Sequence, residues 1–221
     1  MKGLFVLGTN TGVGKTVVSA ALMACAPPHT RYWKPVQTGA PADSDSRQVA
    51  TLSGIDSSRV LPVGASYSLP ASPHHAAAME DRTLSLRDVC EAGFSASSEE
   101  DTLVVEGVGG LMVPLSTTEL LPALIQTLNL PCLLVAGTEL GTINHTLLST
   151  FALQNLGLPT LGIILTGRPD PSALSGIKAF SPYPILGSLP HLEEITPEAV
   201  ARLGRILWDI PEISRALKGT S

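Results

Sequence analysis

Short apolar runs that alternate with helix-like segments constrain the fold of this chain most strongly. The runs at 3–7, 101–107, 131–137 and 159–165 lack the every-second-residue polar pattern of a half-exposed strand. Such runs are typical of a parallel sheet that is covered by helices on both faces. The sequence therefore predicts an α/β fold, a three-layer domain with a mainly parallel sheet that spans residues 1–221 as one unit.

The segments between these runs predict helices and shorter strands. Helices are predicted at 15–26, 43–54, 84–98, 117–129 and 142–156, with Thr196-Pro197 starting a last helix. Short strands are predicted at 31–36 and 183–190, and loops with short helices at 55–83, where Pro, Ser and Gly recur. Ligands of such sheets bind beyond the carboxyl ends of the strands, so the junctions after the strands are the places to look for chemistry.

Charge and composition exclude several classes of protein. The formal net charge is −5 and the basic residues are scattered, which predicts no nucleic-acid or membrane partner. No apolar run approaches the roughly 18 residues of a spanning helix, and the apolar residues before Gly8 are too few for a signal peptide. Cys25, Cys90 and Cys132 show no metal-ligand spacing and predict free thiols in a reducing compartment. We expect a cytoplasmic protein.

The stretch GTNTGVGKT, residues 8–16, follows the first strand and leads into the first helix. Its first glycine stands one position earlier than the strict phosphate-loop pattern requires. The chemistry of the pattern is nevertheless kept. Gly12 and Gly14 allow backbone N–H groups to turn toward an anion at the helix N-terminus, Lys15 can reach the β- and γ-phosphates, and the Thr16 hydroxyl can bind Mg²⁺. The stretch predicts a P-loop NTPase-like domain that binds a nucleotide.

Charged residues stand at two further junctions. The stretch WKPVQTG, residues 33–39, places Lys34 beside a proline at a strand end, where it can point at the phosphates or lie solvated on the surface. The stretch ADSDS, residues 42–46, puts an acidic pair at a helix start, where helix capping is an alternative role. Glu106 ends a buried strand, and a carboxylate there is the expected second acidic ligand of a P-loop magnesium ion.

Together these motifs resemble the dethiobiotin synthetases, ATP-dependent enzymes of biotin synthesis. The resemblance lies in five segments in the family's order: GTNTGVGKT at 8–16, KPVQTG at 34–39, SPH at 72–74, VEGVGG at 105–110 and LGTINH at 140–145. It implies a ligase that forms C–N bonds. One amine of 7,8-diaminononanoate takes up CO₂, the carbamate attacks the γ-phosphate of ATP, and the second amine closes the ring of dethiobiotin and expels phosphate.

The resemblance also implies a role for each matching residue. The catalytic residues are Lys15 and Lys34, with Thr11 and Thr38 as hydrogen-bond donors. The magnesium ligands are Thr16, Asp45 and Glu106, with Asp43 close enough to be confused with Asp45. The nucleotide-binding residues are Gly12, Val13, Gly14, Lys15, Thr16, Val17, Glu106, Gly107, Gly109, Thr166, Leu189, Pro190 and His191. The substrate-binding residues are Lys34, Thr38, Ser72, Pro73, Gly109, Gly110, Gly141, Thr142, Ile143 and Asn144.

A homodimer is also implied, because in the family the segment 141–144 reaches the neighbouring subunit's active site. For Asn144 alone, helix capping is an equal alternative. His145 is expected to pack, or to support a neighbouring site residue, rather than to bind a ligand directly. The adjacent pair His74 and His75 is not expected to bind metal, since no Cys or Asp partner stands at zinc-like spacing.

One departure from the family pattern bears on the nucleotide. Many relatives have an asparagine that reads the adenine edge where this chain has Thr166. A hydroxyl cannot reproduce the paired donor and acceptor of an amide, so we hypothesise a relaxed choice of nucleoside triphosphate. Asn10 stands where ATPases of the partitioning and cell-division type carry an additional lysine. A regulatory ATPase of that type is the alternative function.

Overall fold

The computed structural model describes residues 2–40 and 44–218. Its strands are β1 (Lys2–Gly8), β2 (Thr30–Trp33), β3 (Val36–Gln37), β4 (Ala65–Ser66), β5 (Thr102–Gly110), β6 (Cys132–Ala136), β7 (Thr160–Leu165) and β8 (Ile185–Ser188). Six of them form a parallel sheet in the order β2-β5-β1-β6-β7-β8. The short strands β3 and β4 form a second parallel sheet.

Helices cover both faces of the large sheet. They are α1 (Lys15–Cys25), α2 (Asp45–Ser53), α3 (Pro73–Met79), α4 (Leu86–Ala96), α5 (Leu121–Leu128), α6 (Thr142–Asn155), α7 (Pro171–Phe180), α8 (Pro197–Trp208) and α9 (Pro211–Lys218). In β1, Leu4 and Val6 face the core formed with α1, α2, α8 and α9. Phe5 and Leu7 face the core formed with α3 to α7. The predicted three-layer α/β fold is therefore confirmed.

The predicted strand 31–36 is wrong in its second half. The strand β2 ends at Trp33, and Val36 begins β3 in the other sheet. Pro35 stands between them and has no N–H with which to continue a hydrogen-bonded ladder. Lys34 is therefore placed in the break between the two sheets, at the carboxyl end of β2.

The prediction of one last helix after Thr196 is also wrong. Thr196 caps α8 as expected, with its hydroxyl accepting a hydrogen bond from the Ala199 N–H at 3.2 Å, but α8 ends at Trp208. Pro211 disfavours a helical conformation for the residue before it and opens the next helix, α9. The buried residue Ile213 joins α9 to the core beneath α1.

Two other elements differ in extent. The predicted helix 117–129 begins only at Leu121, with Pro122 in its first turn, where a missing N–H costs no hydrogen bond. The strand β5 does not turn after residue 107 but continues to Gly110, so that Glu106 lies within the strand. Over residues 2–40 and 44–218, the structure shows no helix long and apolar enough to cross a membrane.

Candidate active site

The central position of β1 brings three strand ends together. Gly8 is aligned with Gly110 of β5 and with Val135 of β6. The chain leaves β1 at this point, and the Thr9 N–H donates to the Val135 carbonyl at 3.0 Å. The loop before α1 is therefore held between the ends of β5 and β6, the position expected for a ligand site in a parallel sheet.

The phosphate loop has the backbone that its glycines predict. Gly12 and Gly14 have φ angles of 78° and 91°, in the left-handed region that favours glycine. Gly14 caps α1 without a side-chain hydrogen bond, so the first N–H groups of the helix remain available to an anion. Gly8, which stands one position earlier than the strict phosphate-loop pattern requires, has a steric cause. A Cβ atom there would lie 2.8 Å from both Lys15 Nζ and the Asn10 carbonyl oxygen.

The Lys15 side chain folds back over the loop. Its ammonium donates to the carbonyl oxygens of Asn10 and Gly109, each at 2.9 Å, and only 7% of the residue is exposed. Burial, together with the nearby charge of Lys34, lowers the pKa of Lys15 from 10.5 to about 8. Neither carbonyl supplies a compensating negative charge, so this ammonium is suited to receive an anion.

We predict that nucleotide binding takes up a proton at Lys15. In the free protein most Lys15 side chains are neutral above the pKa of about 8, and bound phosphates raise that pKa by favouring the charged form. Calorimetry of ADP binding in buffers of different ionisation enthalpy should show proton uptake at about pH 9 that falls away near pH 6.5. The Lys15→Met variant should lose this uptake, and an unchanged uptake in that variant would contradict the assignment.

A second lysine lies between two carboxylates. Lys34 Nζ lies 2.6 Å from Asp45 Oδ2, 3.1 Å from Glu106 Oε1 and 2.9 Å from the Gly107 carbonyl oxygen. Burial alone would lower the pKa of Lys34, but the charges of Glu106 and Asp45 outweigh it and raise the pKa above its ordinary value. Lys34 is therefore a fixed cation, with 2% of its surface exposed.

Thr16 completes this arrangement, which we call the lysine–carboxylate cluster (Thr16, Lys34, Asp45 and Glu106). The Thr16 hydroxyl lies 3.0 Å from Asp45 Oδ1 and 2.9 Å from Glu106 Oε1. A hydroxyl and two carboxylates are the hard oxygen donors that suit Mg²⁺. No group of three or more His, Cys, Asp or Glu side chains suited to a metal occurs within the described ranges, so a metal here would draw on this mixed donor set. Asp43 lies outside the described residues.

The two predicted threonine donors lie on different segments. Thr11 is an exposed residue of the phosphate loop. Its side chain lies close to Gly109, since a Cβ atom added to that glycine would be 3.7 Å from Thr11 Oγ1. Thr38 follows β3, where its carbonyl accepts a hydrogen bond from Gln37 Nε2 at 2.7 Å. The backbone around Thr38 is held by the pairing of Gly39 N–H with the Leu69 carbonyl at 3.2 Å. That pairing places Thr38 beside the segment that leads to the predicted substrate residues of α3.

The start of α3 contains Ser72 and Pro73. Ser72 is the N-cap residue but makes no side-chain capping hydrogen bond, and Pro73 occupies the first turn. The next residue, His74, donates its backbone N–H to the Pro114 carbonyl at 3.4 Å. This contact ties α3 to the segment that follows β5.

A cleft of about 660 Å³ opens beside the phosphate loop. It is lined by residues 9–14, Val17, 137–140, Thr142, His145, 166–170, 189–192, Ile195 and Leu203. The predicted nucleotide-binding residues in its lining are Gly12, Val13, Gly14, Val17, Thr166, Leu189, Pro190 and His191. The other predicted nucleotide-binding residues are not in that lining: Lys15, Thr16, Glu106, Gly107 and Gly109. Thr16 and Glu106 belong to the lysine–carboxylate cluster. The Gly107 carbonyl accepts a hydrogen bond from Lys34, and the Gly109 carbonyl accepts one from Lys15.

Thr166 does not present a free hydroxyl proton to this cleft. Its Oγ1 donates to the Val13 carbonyl at 2.7 Å and lies 3.3 Å from the Ala136 carbonyl. The hydroxyl thus ties β7 to the phosphate loop. Arg168, which sequence reasoning did not assign to the site, also lines the cleft with an exposed side chain.

A second cavity of about 310 Å³ lies on the other side of Asn10. It is lined by Thr9, Asn10, Gly110, Leu111, Met112, Val113, His145, Leu148, Ser149 and Ala152. Of the predicted substrate residues, Gly110 lines this cavity and Thr142 lines the larger cleft, whereas Gly141, Ile143 and Asn144 line neither. His145 lines both, which its predicted packing role did not anticipate.

The first turn of α6 shows which residue caps this helix. Gly141, with φ of 94°, is the N-cap residue, and Asn144 lies within the helix with an exposed side chain. Asn144 therefore does not cap α6. Its position leaves the amide available to a ligand or to another chain.

Sequence reasoning also missed Tyr32. Its hydroxyl donates to Glu106 Oε2 at 2.9 Å, and the residue is fully buried. A signal was present, because Tyr32 stands two residues before Lys34 on a predicted strand, and alternate residues of a strand share a face.

Known proteins resemble the chain over most of its length. A family model described as an AAA domain matches residues 2–199. The ATP-dependent dethiobiotin synthetase BioD of Agrobacterium fabrum is 40% identical over 193 residues, which cover 87% of this chain and 88% of the relative. The protein of the same name from Paramagnetospirillum magneticum is 37% identical over 205 residues, 92% of this chain and 95% of the relative.

A solved structure resembles the fold. The crystal structure of a ParA family ATPase from Chlorobium tepidum has a TM-score of 0.58 and 14% identity, and the match covers 98% of this chain and 97% of the other. At this identity the likeness concerns the fold alone. It confirms the predicted P-loop NTPase-like architecture.

Proposed function

The chain belongs to the dethiobiotin synthetase family, and we propose that it converts 7,8-diaminononanoate and CO₂ into dethiobiotin with ATP and Mg²⁺. The other products are ADP and phosphate. One observation carries the proposal: two buried lysines stand at the phosphate loop, Lys34 in contact with Glu106 and Lys15 close enough to both for their charges to shift its pKa. A site that gathers a carbamate and a γ-phosphate needs such fixed cations.

The bonds formed and broken place most negative charge around the γ-phosphate. A carbamate oxygen attacks phosphorus and ADP leaves; the second amine then attacks the carbamoyl carbon and phosphate leaves as the ring closes. Lys34 stays protonated through its carboxylate neighbours and supplies a fixed positive charge. Lys15 is aimed by the carbonyls of Asn10 and Gly109 and gains its full charge when phosphate arrives. We assign to Thr11 and Thr38 the donation of hydrogen bonds to the reacting oxygens.

We propose Thr16, Asp45 and Glu106 as the residues that hold Mg²⁺. The support is that the carboxylates of Asp45 and Glu106 both lie within 3.0 Å of the Thr16 hydroxyl. When bound, the ion would neutralise charge on the β- and γ-phosphate oxygens. Lys34 contacts the same two carboxylates, so the site keeps cations close to every anionic group.

We propose that the larger cleft holds the nucleoside and selects weakly among bases. Thr166 uses its hydroxyl proton on the Val13 carbonyl, so this side chain offers a base only an acceptor. We predict that CTP, GTP and ATP support dethiobiotin formation with kcat/KM values within about a hundredfold of each other. Side-by-side kinetics measure this, and a larger preference for ATP would contradict it.

The second cavity fits the carbon chain of the diamine, since Leu111, Met112, Val113 and Leu148 give it apolar walls. We propose that Ser72 and Pro73 form a further part of the diamine site. The amide groups at 141–144 and the Asn144 side chain would bind the carboxylate of a substrate held by the neighbouring subunit.

We propose a homodimer built on the α6 side of the molecule. Large apolar side chains are exposed there at Met112 (55%), Leu140 (107%), Leu148 (62%) and Phe151 (45%). A second copy would cover this surface, as monomers seldom leave so much apolar area open. We predict that Phe151→Asp shifts the protein toward monomers in analytical ultracentrifugation. The matched change Phe94→Asp, at an exposed phenylalanine of α4, should not, and equal behaviour of the two variants would contradict the proposed interface.

A regulatory ATPase of the partitioning type is the second reading of the fold. At 14% identity the structural likeness favours no shared activity, and Asn10 replaces the lysine of that class. Phosphate release separates the two functions. A synthetase releases phosphate from ATP only when the diamine and bicarbonate are both present, whereas a regulatory ATPase releases it without them.

Because the reaction consumes ATP and its family serves biotin synthesis, we propose a cytoplasmic location.

A further inference from the structure

We infer that Tyr32 is a positioning residue for Glu106: its hydroxyl holds one carboxylate oxygen, so that the other faces Thr16 and Lys34 at the phosphate loop. The inference rests on the proposed function, in which Glu106 is a magnesium ligand. It concerns a residue outside the five segments that carry the family resemblance.

The sheet register brings the two side chains together. Tyr32 of β2 is aligned with Val104 of β5, and aligned residues of neighbouring strands project to the same face. Glu106 is two residues beyond Val104 and therefore lies on that face as well. The long tyrosine side chain spans this offset, and its hydroxyl lies 2.9 Å from Glu106 Oε2.

The two carboxylate oxygens have separate partners. Glu106 Oε1 accepts from Lys34 Nζ at 3.1 Å and lies 2.9 Å from Thr16 Oγ1. Within the part of the chain that the structure describes, Tyr32 is the hydrogen-bond donor to Oε2. The final torsion of a glutamate is broad and roughly two-fold, so a donor on one oxygen fixes which way the other one points.

Burial makes this contact costly to lose. Tyr32 is 0% exposed and Glu106 is 1% exposed, so water cannot readily replace the phenol as a donor. Burial and the nearby charges of Glu106 and Asp45 raise the pKa of Tyr32 well above 10, which keeps the proton on the hydroxyl. Phenylalanine would fill the same volume but leave Oε2 without its donor.

Metal binding tests this role separately from catalysis. We would measure Mn²⁺ binding in the presence of ADP by electron paramagnetic resonance for the wild type, Tyr32→Phe and Tyr67→Phe. Tyr67 is 2% exposed, and its hydroxyl makes no hydrogen bond with any described residue, so it matches the chemical change without touching Glu106. Tyr32→Phe should weaken Mn²⁺ binding by about 10- to 100-fold, the usual effect of losing a group that orients a metal ligand. Tyr67→Phe should leave it unchanged.

Kinetics supply a second readout. The Mg²⁺ concentration needed for half-maximal rate should rise in Tyr32→Phe while the KM for the diamine stays near that of the wild type. A Tyr32→Phe protein with wild-type Mn²⁺ affinity would overturn the inference, even if it melted at a lower temperature. If Tyr32→Phe does not fold, 4-fluorophenylalanine at position 32 keeps nearly the shape of tyrosine but has no proton to donate to Glu106 Oε2; an unchanged Mn²⁺ affinity would then overturn the inference. Because no diamine is present, the binding result does not depend on whether dethiobiotin is made.

Discussion

Replacing Lys34 by alanine is expected to lower kcat for dethiobiotin formation by about 10²–10⁴-fold, as removal of one preorganised donor to a developing anion does. Lys34 is 2% exposed and held by Asp45, Glu106 and the Gly107 carbonyl, so alanine removes a cation that is fixed in place before the substrates bind. The loss should appear mainly in kcat, because the fixed charge is needed most when the carbamate oxygen attacks phosphorus.

The same change also leaves the buried Glu106 carboxylate and the partly exposed Asp45 carboxylate without their cation. Removing one partner of a buried ion pair typically costs about 3–5 kcal/mol of folding free energy, so the assay needs a check by circular dichroism that the variant is folded. Lys178→Ala, at an exposed lysine of α7, is the matched control and should keep full activity. A folded Lys34→Ala protein with near wild-type turnover would remove Lys34 from the catalytic residues.

Replacing Glu106 by glutamine is expected to lower kcat by roughly 10²-fold and to raise the Mg²⁺ requirement by about 10- to 100-fold. The amide has the size of the carboxylate and keeps an acceptor for the Tyr32 hydroxyl. It removes the negative charge that would bind the metal, and with it the largest of the charges that raise the pKa of Lys34. Both effects weaken the site's hold on the γ-phosphate.

The dependence on Mg²⁺ distinguishes this variant from a merely destabilised one. Saturating Mg²⁺ should recover part of the activity of Glu106→Gln, whereas a folding defect would not respond. Glu91→Gln, at an exposed glutamate of α4 paired with Arg87, provides the control and should behave as the wild type. An unchanged Mg²⁺ requirement in Glu106→Gln would show that this carboxylate is not a metal ligand.

Much of the lysine–carboxylate cluster could be predicted from the sequence because each member stands at the end of a strand or the start of a helix. Lys34 follows β2, Glu106 lies near the end of β5, and Thr16 opens α1. In a parallel sheet these positions meet at one edge. The local pattern therefore indicated one edge for Thr16, Lys34 and Glu106, whereas Asp45 joined the predicted set only through the family resemblance. It did not show that Lys34 contacts the same carboxylates as Thr16.

What could not be predicted depends on contacts between distant segments. The contact of Tyr32 with Glu106 needs the register of β2 on β5, which no local pattern encodes. The hydrogen bond of Thr166 to the Val13 carbonyl depends on how closely the end of β7 lies to the phosphate loop. The reason for a glycine at position 8 depends on the position of the Lys15 side chain, which folds back over it. In each case the chemistry of the residue was visible and its partner was not.

The most direct test of the central claim is to incubate the protein with 7,8-diaminononanoate, isotopically labelled bicarbonate, Mg²⁺ and ATP, and to analyse the products by mass spectrometry. The proposed reaction predicts dethiobiotin with the labelled carbon in its ring carbonyl, formed together with equal amounts of ADP and phosphate. Lys34→Ala should form far less of it under the same conditions. Release of phosphate without labelled dethiobiotin, from ATP or from any other nucleoside triphosphate, would contradict the assignment.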